Sequence, residues 1–120
     1  MTPLILRKHD VIRNAIRAHK QGRLAATSKL AVTETECRYR YDDGRHCCVI
    51  GASMPALLAR KFDKLDDSSI GVVISRGLVA TRSAKFLHEL QRAHDACLAN
   101  TFTELEENRA RLLAMLGIKS

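Results

Sequence analysis

Tryptophan is absent, and aromatic residues make up only 4% of the 120-residue chain. Recognition of single-stranded nucleic acid by base stacking needs aromatic faces, so that mode is poorly supplied. No apolar run approaches the roughly 20 residues of a membrane-spanning helix. Leu4-Ile5-Leu6 is too short for the hydrophobic region of an export signal. There is no C-x2-C knuckle, the common frame of a structural zinc site. Gly51 and Gly71 stand alone, with no phosphate-loop pattern around them. These absences lead to the expectation of one cytoplasmic domain, residues 1–120, whose four cysteines are reduced thiols.

Charge is what the chain has in excess. The formal net charge is +7, and it is uneven. Residues 1–24 hold six Lys or Arg against a single Asp, whereas residues 101–120 balance at three and three. An acidic protein or a nucleic acid is the kind of ligand such a surface attracts.

The densest cluster of signals runs from Thr35 to Pro55, TECRYRYDDGRHCCVIGASMP, which holds three of the four cysteines and both tyrosines. Asp42-Asp43-Gly44 lies between two β-prone runs, and Gly supplies the positive φ of a tight turn. Alternation puts Cys37, Tyr39 and Tyr41 on one face and Glu36, Arg38 and Arg40 on the other. The expectation is an antiparallel hairpin returning through Arg45 to Ile50. Two registers are open: Tyr41 opposite Arg45, or Asp42 opposite Arg45. Neither sets Cys37 across from Cys47 or Cys48, so no disulfide is expected between them.

Four helices follow from periodicity and capping residues. The first spans Pro3 to Gln21, capped by Thr2 or Asp10 and closed by Gly22. Leu4, Val11, Ile12, Ala15 and Ile16 share one side, and Arg13, Arg17 and Lys20 form a stripe on the other. The second begins after Ser53, with Pro55 in its first turn, and buries Ala56, Leu57, Leu58, Phe62 and Leu65. Residues 70–75 read two ways. The β-branched run Val72-Val73-Ile74 favours a strand. Ser69 as a cap, the Ile70/Val73/Ile74 spacing and Gly77 favour a short helix, which is preferred. The third helix, Arg82 to Asn100, gathers Phe86, Leu87, Leu90, Ala93, Cys97 and Leu98 in one apolar arc with His94 at its middle. The fourth, Phe102 to Leu116, has Thr103 and Glu106 as a capping box and buries Leu105, Leu112, Leu113 and Leu116. The last two helices pack antiparallel around Asn100-Thr101. The fold class is therefore α+β: a two-stranded antiparallel hairpin on about four helices, with Cys37, Tyr39 and the return strand against the last two.

Several residues carry potential chemistry. Cys37, Cys47, His94 and Cys97 form a conceivable Cys3His zinc set, but they come from distant segments. His94 reads better as a hydrogen-bonded core histidine and the thiols as small buried hydrophobes. Cys47 points away from His46 across a strand, and Cys48 beside His46 lacks an orienting third group. His94 and Asp95 diverge by about 100° on a helix. No nucleophile–base–orienter set emerges, so neither catalysis nor a cofactor is expected.

The motif C37-R-Y39-R-Y-D-D-G44-R-H-C47-C-V-I50-G51 followed by P55, together with L90-Q91-R92-A93-H94-D95, resembles small phage and prophage proteins of uncharacterised function. Those proteins pair a Cys-x-Tyr strand with a Cys-containing return strand ending in Ile-Gly and a proline-started helix. The doubled cysteine at 47–48 departs from the single cysteine of that pattern. The resemblance implies a phage context and a host-cell cytoplasm, and assigns no catalytic residues. It implies a small protein that binds host machinery, such as an inhibitor of a defence system. The expected contact residues are Arg13, Arg17 and Lys20 on the first helix and Arg38, Arg40 and Arg45 on the hairpin. A nucleic-acid-binding accessory factor using the same basic helix, and a zinc- or thiol-dependent protein, are the competing classes.

Overall fold

Apolar residues spaced three and four apart organise most of the chain as helix. The computed structural model describes residues 2–34, 36–98 and 102–118. Among them are α1 (Lys8–Lys20), α2 (Leu30–Thr33), α3 (Ala56–Asp63), α4 (Ile70–Ser75), α5 (Ala84–Asp95) and α6 (Phe102–Met115). Single 3-10 turns lie at Ala25–Thr27 and Gly51–Ser53. Two short strands, β1 (Leu4–Ile5) and β2 (Val79–Ala80), pair in parallel, with Leu4 opposite Val79.

The α+β expectation is overturned. The protein is mainly helical, and its strand pairing is a short parallel one, not an antiparallel hairpin. The turn at 42–44 does form, with Gly44 at a φ of 71° and the Tyr41 N–H donating to the His46 carbonyl at 3.0 Å. Pairing then fails for an identifiable reason. In an antiparallel ladder each hydrogen-bonded pair exchanges two bonds. Here each pair makes one. The His46 N–H, which would return to Tyr41, goes to the Asp43 carboxylate at 2.8 Å. The Cys48 N–H reaches the Tyr39 carbonyl at 3.2 Å, but the Tyr39 N–H is taken by Asp63 at 2.8 Å. Cys47, between them, gives its N–H to the Arg23 carbonyl at 3.0 Å and accepts from the Ala25 N–H at 2.9 Å. One antiparallel bridge, Arg40 with Cys47, is what remains, in the Asp42–Arg45 register.

The first helix is shorter than expected. Leu4 and Leu6 donate their N–H groups to Leu78 and Ala80, both at 3.0 Å, and this holds the chain extended up to Arg7. Arg7 is the N-cap and makes no side-chain cap bond, so neither Thr2 nor Asp10 serves there. The helix buries Val11, Ala15 and Ala18 and ends before Gly22 as expected. Pro55 is the N-cap of α3, one position before the first turn. Leu57 there is 77% exposed, against the expected burial. Residues 70–75 are helical, so the strand reading of that stretch is excluded. α5 ends at Asp95, which leaves Cys97 in the turn beyond it. The expected capping box at Thr103 and the corner at Asn100-Thr101 lie outside the described side chains and residues.

α5 and α6 run antiparallel. Asn108 Nδ2 donates to the Ala96 carbonyl at 2.8 Å, and Met115 shares a groove with Glu89 at the far end. Leu87 and Leu90 of α5 and Leu105, Leu112 and Leu116 of α6 join a core that extends to α1, α3 and α4. Residues 24–26 run through this core fully buried. Tyr39 meets Phe62 of α3 edge to face, with ring centroids 6.1 Å apart, and with Cys37 and Cys48 it also borders Gln91 and Asp95 of α5, so the expected contact with the last two helices is seen at α5 and α3 is added to it.

Candidate functional site

His94 is completely buried on α5. Its Nε2 accepts the Ala26 N–H at 3.3 Å, and its Nδ1 lies 3.4 Å from the Asp95 carboxylate. Accepting at Nε2 assigns the neutral ring's proton to Nδ1, facing Asp95. Arg109 of α6 completes the clamp: Nε donates to the Ala26 carbonyl at 2.8 Å and Nη2 to the Ser28 carbonyl at 2.7 Å. Every polar atom of the imidazole is thus committed to structure.

The thiols are also occupied or muted. The Cys48 sulfur accepts the Gly51 N–H at 3.2 Å, and the Cys47 sulfur lies 3.8 Å from the Arg23 carbonyl. Burial raises Cys48 well above the ordinary thiol range and raises Cys47 as well. Burial, with Arg109 opposing it, pushes Cys97 up to about 11. Cys37 borders a cleft of about 210 Å³ that also receives Tyr39, Cys48, Gln91 and Asp95. Cys37 is exposed at the cleft rim, and local desolvation with the neighbouring Asp95 carboxylate pushes it up to about 12. A thiol must ionise to act as a nucleophile, and none of these is poised to do so near neutrality. Among the described residues, no three His, Cys, Asp or Glu side chains gather in a metal-binding arrangement. Cys37, Cys47, His94 and Cys97 therefore do not assemble the Cys3His set.

His46 is fixed by Asp43, whose carboxylate bonds the imidazole Nδ1 and accepts the N–H groups of Arg45 and His46, each at 2.8 Å. Burial raises the Asp43 carboxyl, but these donors outweigh it and hold it at about 2. A depressed carboxyl contributes its stability above the unfolded value near 4 and loses it as pH falls toward 2. Acid titration followed by amide shifts of Arg45 and His46 is expected to show the turn loosening over that interval. Asp43→Asn should abolish the transition; a transition of unchanged position in that variant would refute the assignment.

The expected contact residues fall into two groups. Arg13, Arg17 and Lys20 are exposed on α1, and Arg13 is paired with Asp10. The structure brings Arg45 to them: its Nη2 donates to the Gln21 carbonyl, just past α1, at 2.9 Å. Arg23, which the sequence did not single out, joins there through Gln21 Oε1 at 2.8 Å and the Arg45 carbonyl at 3.3 Å. Arg38 and Arg40 go elsewhere. Arg38 is paired with Glu36 at 2.6 Å. Arg40 is half-buried, and its guanidinium donates to the Gly51 and Met54 carbonyls at 3.1 and 2.8 Å. Both line a cleft shared with Arg60 and Lys64 of the α3 end. The signal for that pair was in the sequence, as cations four apart flanking Asp63.

No protein-family model, curated protein or solved structure matches this chain.

Proposed function

We propose that the chain is a small non-enzymatic binding protein that recognises an acidic partner surface through cations at the C-terminal end of α1. The carrying observation is the bond from Arg45 to the Gln21 carbonyl, which adds a cation from a distant turn to Arg17 and Lys20. Arg17 and Lys20 are exposed and have no carboxylate within ion-pair distance among the described residues. Unpaired charges of one sign steer association and set its specificity. In the phage or prophage context that the motifs imply, the partner is a host protein complex, and occlusion of its surface inhibits host defence machinery.

The test is affinity purification from nuclease-treated host cells with the wild type and an Arg17→Glu/Lys20→Glu variant. The wild type is expected to retain a stoichiometric protein partner that the folded variant loses. Retention by both would place the contact elsewhere. If instead nuclease removes the partner, and binding falls with salt at a slope of about 0.9 per phosphate neutralised, the ligand is nucleic acid and the reading fails.

A further inference from the structure

The second basic cluster has a different shape from the surface at α1. It is a concave cleft of about 270 Å³, lined by Arg38, Arg40, Asp42, Arg60, Asp63 and Lys64. Two elements build it: the 38–42 segment on one side and the last turn of α3 on the other.

The charge inventory of this cleft is unusual. Asp63 sits between Arg60 and Lys64 in sequence but serves neither. Its two carboxylate oxygens accept the N–H groups of Tyr39 and Arg40, at 2.8 and 3.1 Å. Arg40 spends donors on neutral carbonyls, so its charge is left uncompensated. Arg38 is already matched by Glu36, with Asp42 4.0 Å away on its other side. Arg40, Arg60 and Lys64 thus form no ion pair among the described residues, and these three cations share the cleft with two carboxylates, the inward-turned Asp63 and Asp42 beside Arg38. Complementing the α3 dipole accounts for cations at 60 and 64. It does not account for Arg40 being pinned opposite them by bonds to two carbonyls and a carboxylate.

We propose that this cleft binds the dianionic phosphate of a phosphate monoester. With the Nε/Nη2 edges of Arg38 and Arg40 already bonded within the protein, Arg60 and the Nη1 end of Arg40 supply the donors for phosphate oxygens, and Lys64 adds a mobile point charge. Cations outnumber carboxylates in the cleft, so an anion is drawn to it. The diester of a nucleic acid suits it less, because both tyrosine rings are buried with hydroxyls bonded to the Ser68 and Glu36 carbonyls, leaving neither ring to stack a base. The monoester belongs either to a phosphorylated side chain or to a small metabolite. The site stands independently of the α1 surface.

The probe is inorganic phosphate, titrated at constant ionic strength and followed by backbone amide shifts. Saturable shifts confined to residues 38–42 and 60–64 are expected. Arg60→Gln/Lys64→Gln, which removes two exposed side chains, should weaken binding about tenfold. Arg13→Gln/Arg17→Gln should leave it unchanged, which separates this site from the α1 surface. Phenyl phosphate should bind more tightly than dimethyl phosphate. A phosphoserine peptide set against glycerol phosphate then tells which source of monoester is preferred. Shifts that never saturate, that spread over α1 or that survive the Arg60/Lys64 change would overturn the proposal, as would equal affinity for the diester.

Discussion

Replacing Gly51 by alanine is expected to cost on the order of 3–5 kcal/mol, a large share of the stability of a domain this size. A Cβ at position 51 would lie 1.9 Å from the Tyr39 carbonyl oxygen, 2.6 Å from its carbon and 2.8 Å from its Cα. All three are backbone atoms, so no side chain can swing aside. Tyr39 is also held from every direction: its N–H by Asp63, its carbonyl by the Cys48 N–H and its ring by Phe62. To admit the methyl group, this backbone must move and release those bonds together. A drop in melting temperature of about 10–20 °C is expected by calorimetry. Gly71→Ala is the control. It lies in α4, where its Cβ would meet only His88 Nδ1 at 3.8 Å, and helix propensity predicts a gain of about 0.5–1 kcal/mol. If both variants melt like the wild type, the close approach of residues 39 and 51 is wrong.

The second large effect is expected at His94. Truncation to alanine removes the acceptor of the buried Ala26 N–H and leaves a void between α5 and residues 24–28. An unpaired buried donor costs about 1–3 kcal/mol, and a void adds to it, so a loss near 3–5 kcal/mol is expected. His94→Gln keeps an acceptor and should recover part of it. Amide hydrogen exchange separates the causes: protection at Ala26 should fall in the alanine variant by more than the global destabilisation accounts for. Protection that tracks global stability alone would show that the imidazole acts through volume and not as an acceptor.

The helices were largely legible because their evidence is local. α6 is found where Leu105, Leu112 and Leu116 recur at helical spacing, and Ile70–Ser75 coils as its Ser69 and Gly77 boundaries indicate. The hairpin misled because both its runs and its turn are genuine local signals. What decided against a ladder was competition from afar: Asp63 captures the Tyr39 N–H across 24 residues, and Arg23 and Ala25 claim the Cys47 peptide. Residues 4–5 looked helical because Leu4 falls on the Val11 side of the wheel, and their real partners lie beyond residue 77. At the candidate sites, the α1 cations and Arg45 could be found from charge alone. Their meeting at Gln21 could not, since it depends on where the turn at 44 docks. Arg40 looked like a surface charge by strand alternation, and only the fold reveals its bonds to the Gly51 and Met54 carbonyls.

The segment at 24–28 has a consequence for biosynthesis. Its amides and carbonyls are claimed from three directions: by Cys47, by His94 and by Arg109. While the chain is still emerging from the ribosome, this early stretch has to wait for two of them, His94 and Arg109, translated more than sixty residues later. Such waiting places closure of this part of the core late in synthesis, once α6 has emerged.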